Sequence, residues 1–140
     1  MLELSSFEKS VSSMQRALRY FETRMLDEDS ASPEEREILV CGVVQNFEFT
    51  YEVCWKFMRR WLEANLGIGT TSAATRKQLF RLAFESQLIR DVDAWFRYHE
   101  LRNLTSHTYD MKIALEICSE AQGFVKDAAD LLDAIEKRND

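Results

Sequence analysis

The chain has 140 residues, 46% hydrophobic and 30% charged, with a net charge of −6. That length builds one core of useful size and falls short of the usual two-domain length, so one domain over residues 1–140 is expected. The acidic balance argues against indiscriminate nucleic-acid binding, and four glycines with one proline leave little material for the turns of an all-β fold.

The first helix is expected to start at Ser5, where Ser5 and Glu8 have the spacing of a capping box. Phe7, Val11, Met14, Leu18, Phe21 and Met25 then recur at steps of four and three, one apolar stripe along one helix face, and the acidic run Asp27–Ser30 ends it. Ser32-Pro33-Glu34-Glu35 is a second start signal, with serine as cap and proline at the first helical position. A helical pattern follows to Leu66, with Val40, Val44, Phe47, Tyr51, Cys54 and Met58 as its stripe and Gly67 as its stop. Such a helix is roughly 50 Å long at 1.5 Å per residue, and Gly42 is its possible weak point. Ser72 or Thr75 caps a shorter helix to about Gln87. Asp91 caps a fourth, carrying Trp95, Tyr98 and Leu101. Asp110 caps a fifth, with Ile117, Ala121, Phe124, Ala128, Leu131 and Ile135 in step. Helices with short connections predict an all-α, up-and-down bundle of four to five antiparallel helices.

Other exclusions follow from the residues. No stretch approaches the roughly 18 apolar residues of a membrane span, and Met1-Leu2-Glu3 lacks a basic leader before an apolar run. Cys41, Cys54 and Cys118 are odd in number, lack C-x-x-C spacing and sit in apolar helical contexts, so reduced core thiols and a cytoplasmic location are expected. Trp55, Trp61 and Trp95 fall on or next to apolar stripes and are assigned to packing. Glu48 and Glu52 form an i, i+4 acidic pair, but no Glu-x-x-His partner accompanies them, so no metal is expected. Lys56, Arg59 and Arg60 read as a solvated helix face.

The segment with the most chemistry is Arg102-Asn103-Leu104-Thr105-Ser106-His107-Thr108-Tyr109. Arginine offers phosphate a planar fork of donors, and histidine is the side chain that exchanges a proton near neutral pH. Residues 76–112, which contain the segment, carry seven basic and five acidic side chains, against an acidic excess on either side. On an unbroken helix Arg102 and His107 diverge by about 140°. For them to meet, the helix must end or deform around Thr105–Thr108, whose hydroxyls compete for backbone hydrogen bonds. Residue chemistry leaves two readings open: a phosphate or nucleotide site, or an Arg and a His that hydrogen-bond helix ends at a bundle corner.

The segment resembles the Arg-x4-His signature of the HEPN family, in the Arg-x4-His-x-Tyr form of members paired with minimal nucleotidyltransferases. Gln45-Asn46-Phe47-Glu48-Phe49-Thr50-Tyr51-Glu52-Val53-Cys54-Trp55-Lys56 resembles the second-helix signature of the subgroup called nucleotidyltransferase substrate-binding proteins. This resemblance implies a homodimer with the Arg–His motifs of both subunits facing a shared cleft, and a complex with a separate nucleotidyltransferase chain. It carries Arg102, Asn103 and His107 over as the polar centre, and Tyr109 as the position that a partner enzyme adenylylates in toxin–antitoxin members.

Two functions then compete. One is a nucleotide- or substrate-binding subunit with Arg102, Asn103, His107 and Tyr109 on the ligand. This chain has no Walker loop and no paired acidic signature for Mg²⁺, so it is not expected to be the nucleotidyltransferase itself. The other is a metal-independent RNA endonuclease, with two His107 side chains as base and acid, two Arg102 side chains on the phosphorane, and Tyr109 modification as its off-switch. Neither requires a cofactor. A helical adaptor without a ligand is the bland third reading. His99, eight residues before His107, is given no place in the motif.

Overall fold

In the computed structural model, which describes residues 1–26, 31–67, 69–107 and 110–140, the apolar periodicities become five α-helices. They are α1 (Ser5–Met25), α2 (Pro33–Leu66), α3 (Arg76–Glu85), α4 (Val92–Leu104) and α5 (Met111–Lys137). A 3-10 turn, Thr105–His107, continues α4. No strand occurs among the described residues, as the all-α expectation requires.

Most helix starts use the cap their sequence offers. Ser32 Oγ accepts the Glu35 N–H at 3.1 Å, and Asp91 and Asp110 accept the N–H groups of Ala94 and Lys112. Thr75, rather than Ser72, caps α3 through a reciprocal capping box with Gln78. α1 begins at Ser5 as expected but without the Ser5–Glu8 capping box. Leu4 occupies its cap position, and the Glu3 carboxylate accepts the Ser5 N–H at 2.9 Å. Leu4 is buried in the core, which places Ser5 inside the first turn.

α2 runs unbroken through Gly42 and stops at Gly67, whose φ of +114° suits glycine. Beside Gly42, the Asn46 amide donates to the Gly42 carbonyl at 2.9 Å and accepts from Ser13 Oγ at 2.8 Å, tying α2 to α1. α2 touches every other helix and is the central post of the bundle. Its stripe Val40, Val44, Phe47, Tyr51, Cys54 and Met58 is buried, as is the whole stripe of α5. Phe124 of α5 meets Phe47 and Tyr98 edge-on, with ring centroids 4.7 and 5.0 Å apart, and Trp95 packs edge-on to Tyr98 at 5.3 Å. These rings seat α4 between α2 and α5.

Polar ties then fix the register of α4. Arg97 pairs with Glu120 at 2.9 Å and with Glu116 across to α5, and with Glu100 on its own helix. Tyr98 donates to Asp127, and burial followed by this carboxylate pushes its phenol well above the usual range. One assignment needs correction. Cys54 and Cys118 are buried thiols, but Cys41 is exposed, since it lies about 100° round α2 from the Val40 position. Trp61 and Trp95 are buried, and Trp55 is half-buried and packs against the edge of the core, as their assignment to packing expects.

Candidate functional site

The C-terminal end of α4 lies against the middle of α2, and the two sequence motifs meet there. Arg102 leaves the last turn of α4 half-buried and reaches α2. Its Nε donates to Glu52 Oε1 at 3.1 Å, and its Nη2 lies 3.3 Å from Glu48 Oε1. Its Nη1 donates to Thr105 Oγ1 at 2.9 Å, while that hydroxyl donates to the Arg102 carbonyl at 2.7 Å. The threonine thus closes the helix end and orients the guanidinium with one side chain. Two N–H groups of the fork donate hydrogen bonds, one from Nε and one from Nη1, and Nη2 makes an ion-pair contact with Glu48.

The helix deforms where its hydroxyl residues predicted. Thr105–His107 tightens into a 3-10 turn, the His107 carbonyl accepts the Asp110 N–H at 2.9 Å, and His107 is exposed. Asn103, next to Arg102 on α4, is exposed as well. Arg102 and His107 therefore bound one corner of the bundle, the first oriented by α2 and the second open to solvent. Tyr109, the modification candidate, lies outside the described residues together with Thr108. An open cavity of about 270 Å³, lined by Cys41, Val44, Gln45, Glu48 and Thr105, flanks this corner.

Sequence reasoning missed the groups that hold Arg102. Glu48 and Glu52 are its ion-pair partners, and no cluster of potential metal ligands exists among the described residues. An i, i+4 acidic pair inside the second motif was the available signal, because it matches one cation arriving from a neighbouring helix. Glu52 also accepts the Trp55 indole N–H at 2.9 Å through its other oxygen.

His99 has no place in the linear motif, yet it stands three residues before Arg102 on α4 and shares that face. Its Nδ1 lies 2.7 Å from the Tyr51 hydroxyl, and Arg76 Nη1 donates to the same hydroxyl oxygen at 3.1 Å. The Tyr51 hydroxyl thus bridges the imidazole and the guanidinium. Burial, then Arg76, holds the His99 pKa below its ordinary value, against the opposing pull of Glu52 and Glu100. Burial pushes the Tyr51 phenol up to about 12. The Arg76 guanidinium lies 3.6 Å from the centroid of Trp55. One connected polar array thus runs from His99 and Tyr51 through Arg76, Trp55 and Glu52 to Arg102.

The chain is similar to known proteins over most of its length. A family model described as nucleotidyltransferase substrate binding protein like matches residues 2–137. A Haemophilus influenzae protein named probable ribonuclease HepT is 33% identical over 105 residues, spanning 74% of this chain and 72% of that one. A solved Haemophilus influenzae structure, described as revealing the fold of a substrate binding domain of a nucleotidyltransferase, matches with a TM-score of 0.90 at 27% identity. It covers 96% of this chain and 99% of its own. A Thermus thermophilus crystal structure shares the fold, with a TM-score of 0.71 at 24% identity over 91% of this chain and 96% of that one.

Proposed function

We propose, from the premise that this chain belongs to the nucleotidyltransferase substrate binding protein like family, that it is a nucleotide- or substrate-binding subunit serving a separate nucleotidyltransferase. The observation that carries this reading is the oriented Arg102 fork beside an exposed His107. Glu48, Glu52 and Thr105 hold the guanidinium plane, so a phosphate reaching its other N–H groups meets donors whose ordering cost is already met. The exposed Asn103 adds a polar group beside that phosphate, and the family resemblance alone carries Tyr109 over to the same ligand.

The subunit acts as a homodimer, with the two motif corners sharing a cleft. Support comes from an outward stripe on α2, where exposed Ile38, Cys41, Gln45 and Phe49 recur at steps of three and four past Glu48. Ile38 is 71% and Phe49 57% exposed, an apolar surface that a second copy would cover. Sedimentation should give twice the 16.4 kDa chain mass, and Phe49→Asp should return a monomer. For the ligand, ATP titrated calorimetrically should bind, and Arg102→Ala should weaken it at least about tenfold. Equal affinity in the two proteins would sink the reading.

The name of the Haemophilus influenzae relative favours a second reading, cleavage of RNA. There the 2′-hydroxyl attacks the adjacent phosphorus, one His107 takes its proton, and the other protonates the departing 5′-oxygen, leaving a cyclic phosphate. RNA should then be cut in EDTA by the wild type and survive with His107→Ala. Intact RNA in both assays leaves the binding subunit standing.

A further inference from the structure

One face of this acidic chain is strongly basic, and it adjoins the Arg102 corner without being part of it. Lys56, Arg59 and Arg60 project from α2, and Arg76, Lys77 and Arg81 from α3. All but the half-buried Arg76 are exposed. Arg59 is paired, with Glu63 at 3.1 Å. The other five have no carboxylate partner among the described residues.

These cations are held on aromatic faces instead. Arg76 lies 3.6 Å and Lys56 5.8 Å from the Trp55 centroid, and Arg60 lies 4.9 Å from that of Phe57. Lys77 and Arg81, one turn apart on α3, each lie 5.6 Å from the Phe96 centroid on α4. An open cavity of about 310 Å³ lined by Trp55, Lys56, Arg59, Arg60 and Glu63 sits along the row. The row therefore runs across α2 and α3 and passes to Arg102 through Glu52, which accepts from both Trp55 and Arg102.

A solvated helix face has its charges interspersed and paired. Five carboxylate-free cations held on rings, in a molecule of net charge −6, make a local positive field that favours an anion lying across them. We infer that this face tracks the phosphate backbone of a single-stranded polynucleotide and delivers one of its nucleotides to the Arg102–His107 corner. Several phosphates in a row match several spaced cations, and a half-exposed indole offers an edge on which a base can stack. A mononucleotide needs only the corner. The inference rests on the proposed nucleotide role of that corner and adds the chemical class of what it receives.

The test uses the full chain and a labelled single-stranded RNA of about 20 nucleotides, followed by fluorescence anisotropy across a salt series. With five unpaired cations in contact, the logarithm of affinity should fall with that of salt at a slope near −3.5, about 100-fold between 50 and 200 mM. The quadruple variant Lys56→Gln/Arg60→Gln/Lys77→Gln/Arg81→Gln keeps Arg76, whose guanidinium packs on Trp55. It should flatten the slope to about −0.7 and weaken binding at 50 mM at least tenfold, with its circular dichroism and ATP affinity unchanged. No RNA binding by the wild type, or the same slope in both proteins, overturns the inference. So does binding of poly-L-glutamate but not RNA to this face, which would make it a dock for an acidic protein. Failure of the corner reads out separately, as ATP affinity that Arg102→Ala does not change.

Discussion

Glu52 uses both carboxylate oxygens, one for the Arg102 guanidinium and one for the Trp55 indole. Both partners of this ion pair are about a third exposed, so the pair is screened and its contribution modest. A double-mutant cycle on Glu52→Ala and Arg102→Ala should return a coupling of about 1 kcal/mol in urea unfolding, and a value near zero would show that the pair does not persist in solution. His99 carries the pH dependence. Its pKa is depressed in the fold, so below about pH 6.5 the unfolded chain takes up a proton that the folded chain refuses. Stability should therefore rise with pH from the depressed value up to about 6.5 and level off above it, and His99→Gln should remove that part of the slope. Arg76→Gln removes the second cause of that depression, so the His99 resonance should titrate at higher pH than in the wild type. Only two histidines are present, which makes the assignment direct. Neither His99 nor Tyr51 stood out in the chain. Tyr51 reads as one more member of an apolar stripe, and nothing in a linear sequence shows which helix will bring an imidazole to its hydroxyl.

At the level of elements, local signals proved reliable where the cap residue had no competing pull. Ser32 precedes proline and caps α2, whereas Ser5 lies inside the first turn of α1 and leaves capping to no side chain. Ser32→Ala should cost about 1 kcal/mol and Ser5→Ala close to nothing, compared by thermal melting of the two variants. The reverse order would mean that the Ser5 hydroxyl caps α1 in solution. Gly42 did not break α2, since the bond between Asn46 and the Gly42 carbonyl fastens that turn and Ser13 ties it to α1. The end of α4 was legible because Thr105, Ser106 and Thr108 form a run of side chains that compete for backbone carbonyls, and Thr105 does so at the Arg102 carbonyl.

Across the whole molecule, the rings of Phe47, Trp95, Tyr98 and Phe124 join α2, α4 and α5, and the position of Arg102 depends on them. Phe124 is fully buried, so Phe124→Ala should cost about 3–5 kcal/mol in urea unfolding. It should also broaden the transition as α4 loosens, and a loss below 1 kcal/mol would show that the cluster does not anchor that helix. The sequence by itself determined the helices, their apolar faces and the Arg102–His107 motif, because each depends on spacings of three to five residues that a helix converts directly into a face. It could not determine that Glu48 and Glu52 grip Arg102, that His99 bonds Tyr51, or that cations of α2 and α3 form one basic row. The ion pairs and the hydrogen bond join residues from 48 to 54 positions apart. Packing of α2 against α3 and α4 sets them, and a charge on one helix acquires its partner only when the burial of apolar stripes has fixed which faces meet.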